Sequence, residues 1–295
     1  LLRKVGRSGE ALSMLEKALE FDPLNYALLY EKELVTGQGV IEEMKDQMQD
    51  AENNYIEIGI NYLNAGMYDE AVNLFSRIKD PHNPLFLYYQ AYVMANSGQE
   101  SAAKTLVALA NRKSFDYVFP YRTESEKVLR HAAKVDPNSV FPPYLLGNLL
   151  YDHRPEEAII AWDEAAKIDS DFPMLWRNLA FGAFHHQKNP EKAIEYLTKA
   201  LIDSPDHPYW YSELAEYYEA SDRDPRECLA ILDSHIETVK RDVAAPKDLV
   251  NLYNLTGEYD KAIDLLTTHH FRTWEGGREI YWYYVDAHVL KALAL

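Results

Sequence analysis

Two adjacent histidine pairs, His185-His186 and His269-His270, are the residues of this chain whose types first suggest chemistry. Imidazoles that share a metal from one helix sit three or four residues apart, on a common face. Adjacent positions point about 100° apart, and no His-x-x-x-His spacing surrounds either pair. The expectation is groove-lining or surface histidines, with no metal. The carboxylates Glu156/Glu157 and Asp169/Asp171 have the composition of an acid–base pair. A chain with 47 Asp and Glu contains close acids by number alone, however, and these fall on helix faces expected to be exposed. Neither Gly-x-Ser-x-Gly nor Gly-x-x-x-x-Gly-Lys occurs. Cys228, the single cysteine, reads as a buried, inert small residue rather than a nucleophile. No catalytic residue and no cofactor is expected.

Composition narrows the partners. The 30 Lys and Arg against 47 Asp and Glu leave a formal charge of −17, a field that repels phosphate backbones and anionic lipid. Nucleic acid and membranes are therefore not expected, and no apolar run has the length of a transmembrane helix. One cysteine excludes an internal disulfide and suits a reducing compartment. The cytoplasm is the expected location. The length of 295 residues fits two domains or one repeat array. Only 12 glycines accompany 22 Tyr, 10 Phe and 5 Trp, so aromatic packing is expected to carry much of the structure.

The elements that must position these residues repeat. Tyr55-Ile58-Gly59-Tyr62 precedes Gly66-Met67-Tyr68-Asp69-Glu70-Ala71, and that phrase returns as Gly257-Glu258-Tyr259-Asp260-Lys261-Ala262, more weakly as Gly98-Gln99-Glu100 with Ala103. A proline variant appears at Arg154-Pro155, Asn189-Pro190 and Asp224-Pro225. Proline at a first helical position loses no hydrogen bond, and Asn or Asp ahead of it can cap the helix. The small residue four or five places on sets the register: Ala158, Ala193, Cys228 and Ala262 follow at intervals of 34 or 35, and Ala71 to Ala103 spans 32. Between Ala11 and Ala71 there is room for one divergent unit that turns at Gly37-Gln38-Gly39. The pattern predicts antiparallel helix pairs, roughly eight of them, stacked as a right-handed superhelix.

Two stretches break the period. Residues 111–140 predict an extended connector followed by a helix near 124–134. Residues 267–295 predict an aromatic loop, Trp274-Glu275-Gly276-Gly277, ahead of a final helix. The expected organisation is thus repeats over 1–110, the connector over 111–140, repeats over 141–266 and a partial repeat over 267–295. The chain opens on Leu1-Leu2-Arg3 inside a repeat and closes on an apolar Leu293-Ala294-Leu295, so it reads as an excerpt of a longer array.

These phrases resemble the tetratricopeptide repeat (TPR) family over about the whole chain, which implies an all-α, TPR-like α-solenoid. The segments Val118-Phe119-Pro120-Tyr121-Arg122, Tyr144-Leu145-Leu146-Gly147-Asn148, Trp176-Arg177-Asn178 and Trp274-Glu275-Gly276-Gly277 are similar to the TPR tails of certain large bacterial proteins. Those proteins carry an N-terminal β-rich domain of unknown function, akin to sugar-mutarotase folds. The resemblance implies such a domain ahead of Leu1 and a carbohydrate context.

Helical spacing places Arg177, Phe181 and His185 on one wall of a concave face, and Ser212, Glu216 and Glu219 on the next, with Tyr209 nearby. Trp274 and Glu275 form the remaining candidates, either as an elbow between helices or as a ligand-bearing loop. The reading is a non-enzymatic interaction scaffold that holds a neutral to basic peptide or protein segment, or its own N-terminal domain. The alternative is the helical part of a carbohydrate-active or carbohydrate-binding protein, contributing to a sugar site. The register itself is testable: Ala193→Leu should destabilise by roughly 1–3 kcal/mol through overpacking, and an unchanged melting temperature would refute the assigned repeat.

Overall fold

Proline, asparagine and glycine set the helix ends, and the turns follow from them. The computed structural model describes residues 1–39, 41–49, 51–272 and 280–294, and their regular elements are all helical. They form two compact units, Leu1–Leu149 and Leu150–Leu295. The first contains α1 (Ser8–Phe21), α2 (Tyr26–Thr36), α3 (Ile41–Met48), α4 (Glu52–Asn64), α5 (Tyr68–Phe75), α6 (Pro84–Asn96), α7 (Glu100–Ala110), α8 (Ser125–Val135) and α9 (Phe141–Leu150). The second contains α10 (Pro155–Ile168), α11 (Pro173–His185), α12 (Pro190–Asp203), α13 (Pro208–Glu219), α14 (Pro225–Ser234), the short α15 (Ile236–Val239), α16 (Ala245–Thr256), α17 (Tyr259–Thr268) and α18 (Ile280–Leu293).

In each unit there are helices that pack on the next one and on the next but one, as α4 does on α5 and α6 and as α16 does on α17 and α18. That is the contact pattern of stacked hairpins. The Asn189 side chain accepts from the Lys192 amide at 3.0 Å and the Asp224 side chain from the Arg226 amide at 2.9 Å, each directly before a proline that opens its helix. Gly37 and Gly257 close α2 and α16 at φ of 69° and 86°, a left-handed conformation that side chains resist.

Packing explains the small-residue period. Ala71, Ala103, Ala158, Ala193, Cys228 and Ala262 are all buried, none more than 1 % exposed. In the first unit, Phe75 of α5 lies over Gly59 of α4 and meets Phe86 of α6 edge-on at 5.3 Å. Tyr30 and Tyr62 make a second edge contact at 5.3 Å. Polar ties frame this core: Arg77 binds Glu33 at 2.6 Å, and Arg3 and Lys4 both reach Glu70, which is only 7 % exposed. The helix α8 stands outside the two-helix rhythm and packs on α6 and α7.

A β-carbon on Gly59 would lie 2.2 Å from the Phe75 ring, and that ring is enclosed. Gly59→Ala should therefore destabilise by about 1–3 kcal/mol, overriding the gain of roughly 1 kcal/mol that alanine brings to a helix. Gly9→Ala on α1, where a β-carbon meets nothing within 4 Å, should cost nothing. Equilibrium urea unfolding of the two variants checks the contrast.

Candidate binding groove

In the second unit the first helices of successive hairpins, α11, α13 and α16, present the candidate side chains. Arg177 on α11 donates from Nε to Glu213 Oε2 on α13 at 3.0 Å, and from Nη2 to Oε1. Burial opposes the guanidinium charge, but the Glu213 carboxylate outweighs it and holds the Arg177 pKa above its ordinary value. The same guanidinium sits 4.9 Å from the Phe181 ring centroid. Phe181 in turn contacts His185 at 4.1 Å and Tyr151 at 5.5 Å. The sequence therefore places Arg177, Phe181 and His185 together, as one run along α11. Tyr209 stands 57 % exposed near the Arg177–Glu213 pair.

The next wall differs in character. Ser212 Oγ donates to Asp248 Oδ2 on α16 at 2.6 Å. Glu216 and Glu219 are exposed, and they line with Ser212, Asp248 and Asn251 a cleft of about 680 Å³. Buried Ala215 and Leu252 are among its apolar lining residues. Arg223 also lines the cleft, but its guanidinium pairs with Glu227. Asp248 has its pKa pushed up to about 6: burial comes first, the Ser212 hydrogen bond opposes it, and the negative charges of Asp242, Glu219 and Glu216 add to it. The cleft suits a cationic or hydrogen-bond-donating group and disfavours an anion.

Glu213, Asp248 and Tyr217 were not among the sequence candidates. Glu213 and Asp248 each lie 36 residues beyond the partner they bind, one or two residues past the 34- or 35-residue repeat interval, so the repeat leads close to both without picking either out. Tyr217 is fully buried, meets Phe184 at 4.4 Å, and its hydroxyl has no hydrogen-bond partner among the described residues. Trp274 and Glu275 lie outside the described residues.

The other chemically suggestive residues are not among those that line the cleft. His186 Nε2 is 3.1 Å from Glu156 Oε1, and His269 meets the Phe271 ring at 4.8 Å. Burial pushes the Cys228 thiol up to about 12, with a smaller push from Asp248, so it stays protonated. Among the described residues no three His, Cys, Asp or Glu side chains are grouped to hold a metal ion, and no helix is long and apolar enough to cross a membrane.

Paired helices, left-handed glycine turns and buried small residues at the repeat interval settle the architecture. The fold is TPR-like. No family model matches the chain. Among solved structures it is similar to MamA 41-end from Desulfovibrio magneticus RS-1, at 18 % identity over 65 % of this chain and 97 % of that one, with a TM-score of 0.38. TTC0263, a thermophilic TPR protein of Thermus thermophilus, matches at 20 % identity over 68 % and 98 %, with a TM-score of 0.38. YrrB, described as a TPR protein with an unusual peptide-binding site, matches at 21 % identity over 70 % and 83 %, with a TM-score of 0.29.

Asp248 gives the groove a pH signature. Between about pH 4 and pH 6 the unfolded chain has released this proton while the folded chain still holds it, so this group lowers stability as pH rises through that window. Asp248→Asn should be more stable than the parent at pH 7, by about 1–3 kcal/mol, and the difference should vanish below pH 4. Thermal melts of both proteins across pH 3.5–7.5 read this directly.

Proposed function

We propose that this chain is a non-enzymatic protein-interaction scaffold that holds a neutral to basic peptide segment along α11, α13 and α16. The observation that carries the reading is the cleft beside Glu216, Glu219 and Asp248. It joins the exposed carboxylates Glu216 and Glu219 to the buried apolar Ala215 and Leu252, a combination that accepts the stem and the charged head of a lysine or arginine side chain. Arg177 does not reverse that sign, because Glu213 neutralises it. The formal charge of −17 steers basic segments toward the surface and slows acidic ones. The Arg177–Phe181–His185 run adds an aromatic and polar wall against which neighbouring residues of the segment can lie.

The test is a fluorescence-anisotropy comparison of matched basic and acidic peptides. The basic peptide should bind more tightly, and the combined Glu216→Gln and Glu219→Gln change should weaken it by about three- to tenfold, the order expected for exposed charge pairs. Equal binding of both peptides, or indifference to the double substitution, would overturn the reading.

A further inference from the structure

The first unit contains a cleft of opposite sign to the groove on the second. It measures about 480 Å³ and opens between the end of α6, the first turns of α7 and the last turn of α8. Ala95, Ala103 and Val135 give it apolar walls, and Lys104, Lys134 and Glu100 supply its charges. Neither lysine has an ion-pair or hydrogen-bond partner among the described residues, although acids outnumber bases 47 to 30 along the chain. His131, which also lines the cleft, packs edge-on against Tyr92 at 5.6 Å. Burial, and then the Lys134 charge, lower its pKa, so at neutral pH it contributes polarity without charge. The cleft thus carries two positive charges against one negative, in a protein of formal charge −17.

We infer that the cleft between α6, α7 and α8 binds the phosphate group of a small phosphomonoester. Two ammonium groups act as point charges and can approach a tetrahedral dianion from different sides, whereas a planar carboxylate is matched better by the guanidinium fork that is missing from this lining. The volume exceeds that of a bare phosphate and falls in the range of small-molecule sites. It leaves room for a compact organic residue over Ala95, Ala103 and Val135. Glu100 sets the limit on ligand charge from its place on the rim.

The test is calorimetric titration of the full chain with ribose 5-phosphate, inorganic phosphate and ribose at low ionic strength. Ribose 5-phosphate should bind saturably at one site. Lys104→Ala and Lys134→Ala should each weaken it about tenfold, the order of one lost charge-assisted contact, and Glu100→Gln should tighten it. Lys167→Ala, an equal change of net charge on an exposed residue of α10, should leave it unchanged. Inorganic phosphate binding as tightly as the ester would overturn the organic part of the assignment. Ribose binding as tightly as its phosphate would overturn the whole, as would absence of saturation at millimolar ester or equal weakening by Lys167→Ala.

Discussion

The structure depends on how closely paired helices approach. Each hairpin brings its two helices together at a position that holds only a small side chain, and that position recurs through the chain as Ala71, Ala103, Ala158, Ala193, Cys228 and Ala262. Dense packing leaves no slack at such a contact. The larger aromatic side chains then fill what the close approach leaves between hairpins, as Phe75 does against Phe86 and as Tyr217 does beside Phe184. Cys228 fits this series by size, which accounts for a thiol placed where no thiol chemistry is needed.

A second regularity follows from the first. Once hairpins stack at a fixed interval, equivalent positions on successive first helices become neighbours, and polar side chains there can reach one another. Arg177 with Glu213 and Ser212 with Asp248 are both separated by 36 residues. These contacts hold the helices in register and decide the sign of the groove. Arg177 loses its free charge to Glu213. Among the described residues Asp248 pairs with no cation, so its carboxyl is left to a hydroxyl and to the repulsion of nearby acids.

The hairpins were legible in the sequence because their signals are local. Proline after Asn or Asp, glycine at the turn and a small residue soon after are set by backbone sterics and capping, which a short window contains. The α11 wall was legible for the same reason, since Arg177, Phe181 and His185 lie four residues apart on one helix. Glu213 and Asp248 were not, because their roles arise from contact across a whole repeat. Nor was the α6–α8 cleft, since Lys104 and Lys134 line it together only because α8 packs on α6 and α7. The sequence pattern predicts a helix near 124–134 but not the neighbours on which it packs.

The abundance of tyrosine has its own physical outcome. Tyr30, Tyr62, Tyr88, Tyr89, Tyr217 and Tyr253 lie in the interior, and burial lifts each phenol well above its ordinary pKa. Tyr211 and Tyr218 are lifted to about 12 by the same cause. Their protons are held by the fold and given up readily by the open chain, so alkali above about pH 10 drains stability from many sites at once. The phenolate absorbance of these eight rings, among 22 tyrosines, would then rise only as the helices come apart, making the buried rings an optical reporter of the chain's integrity.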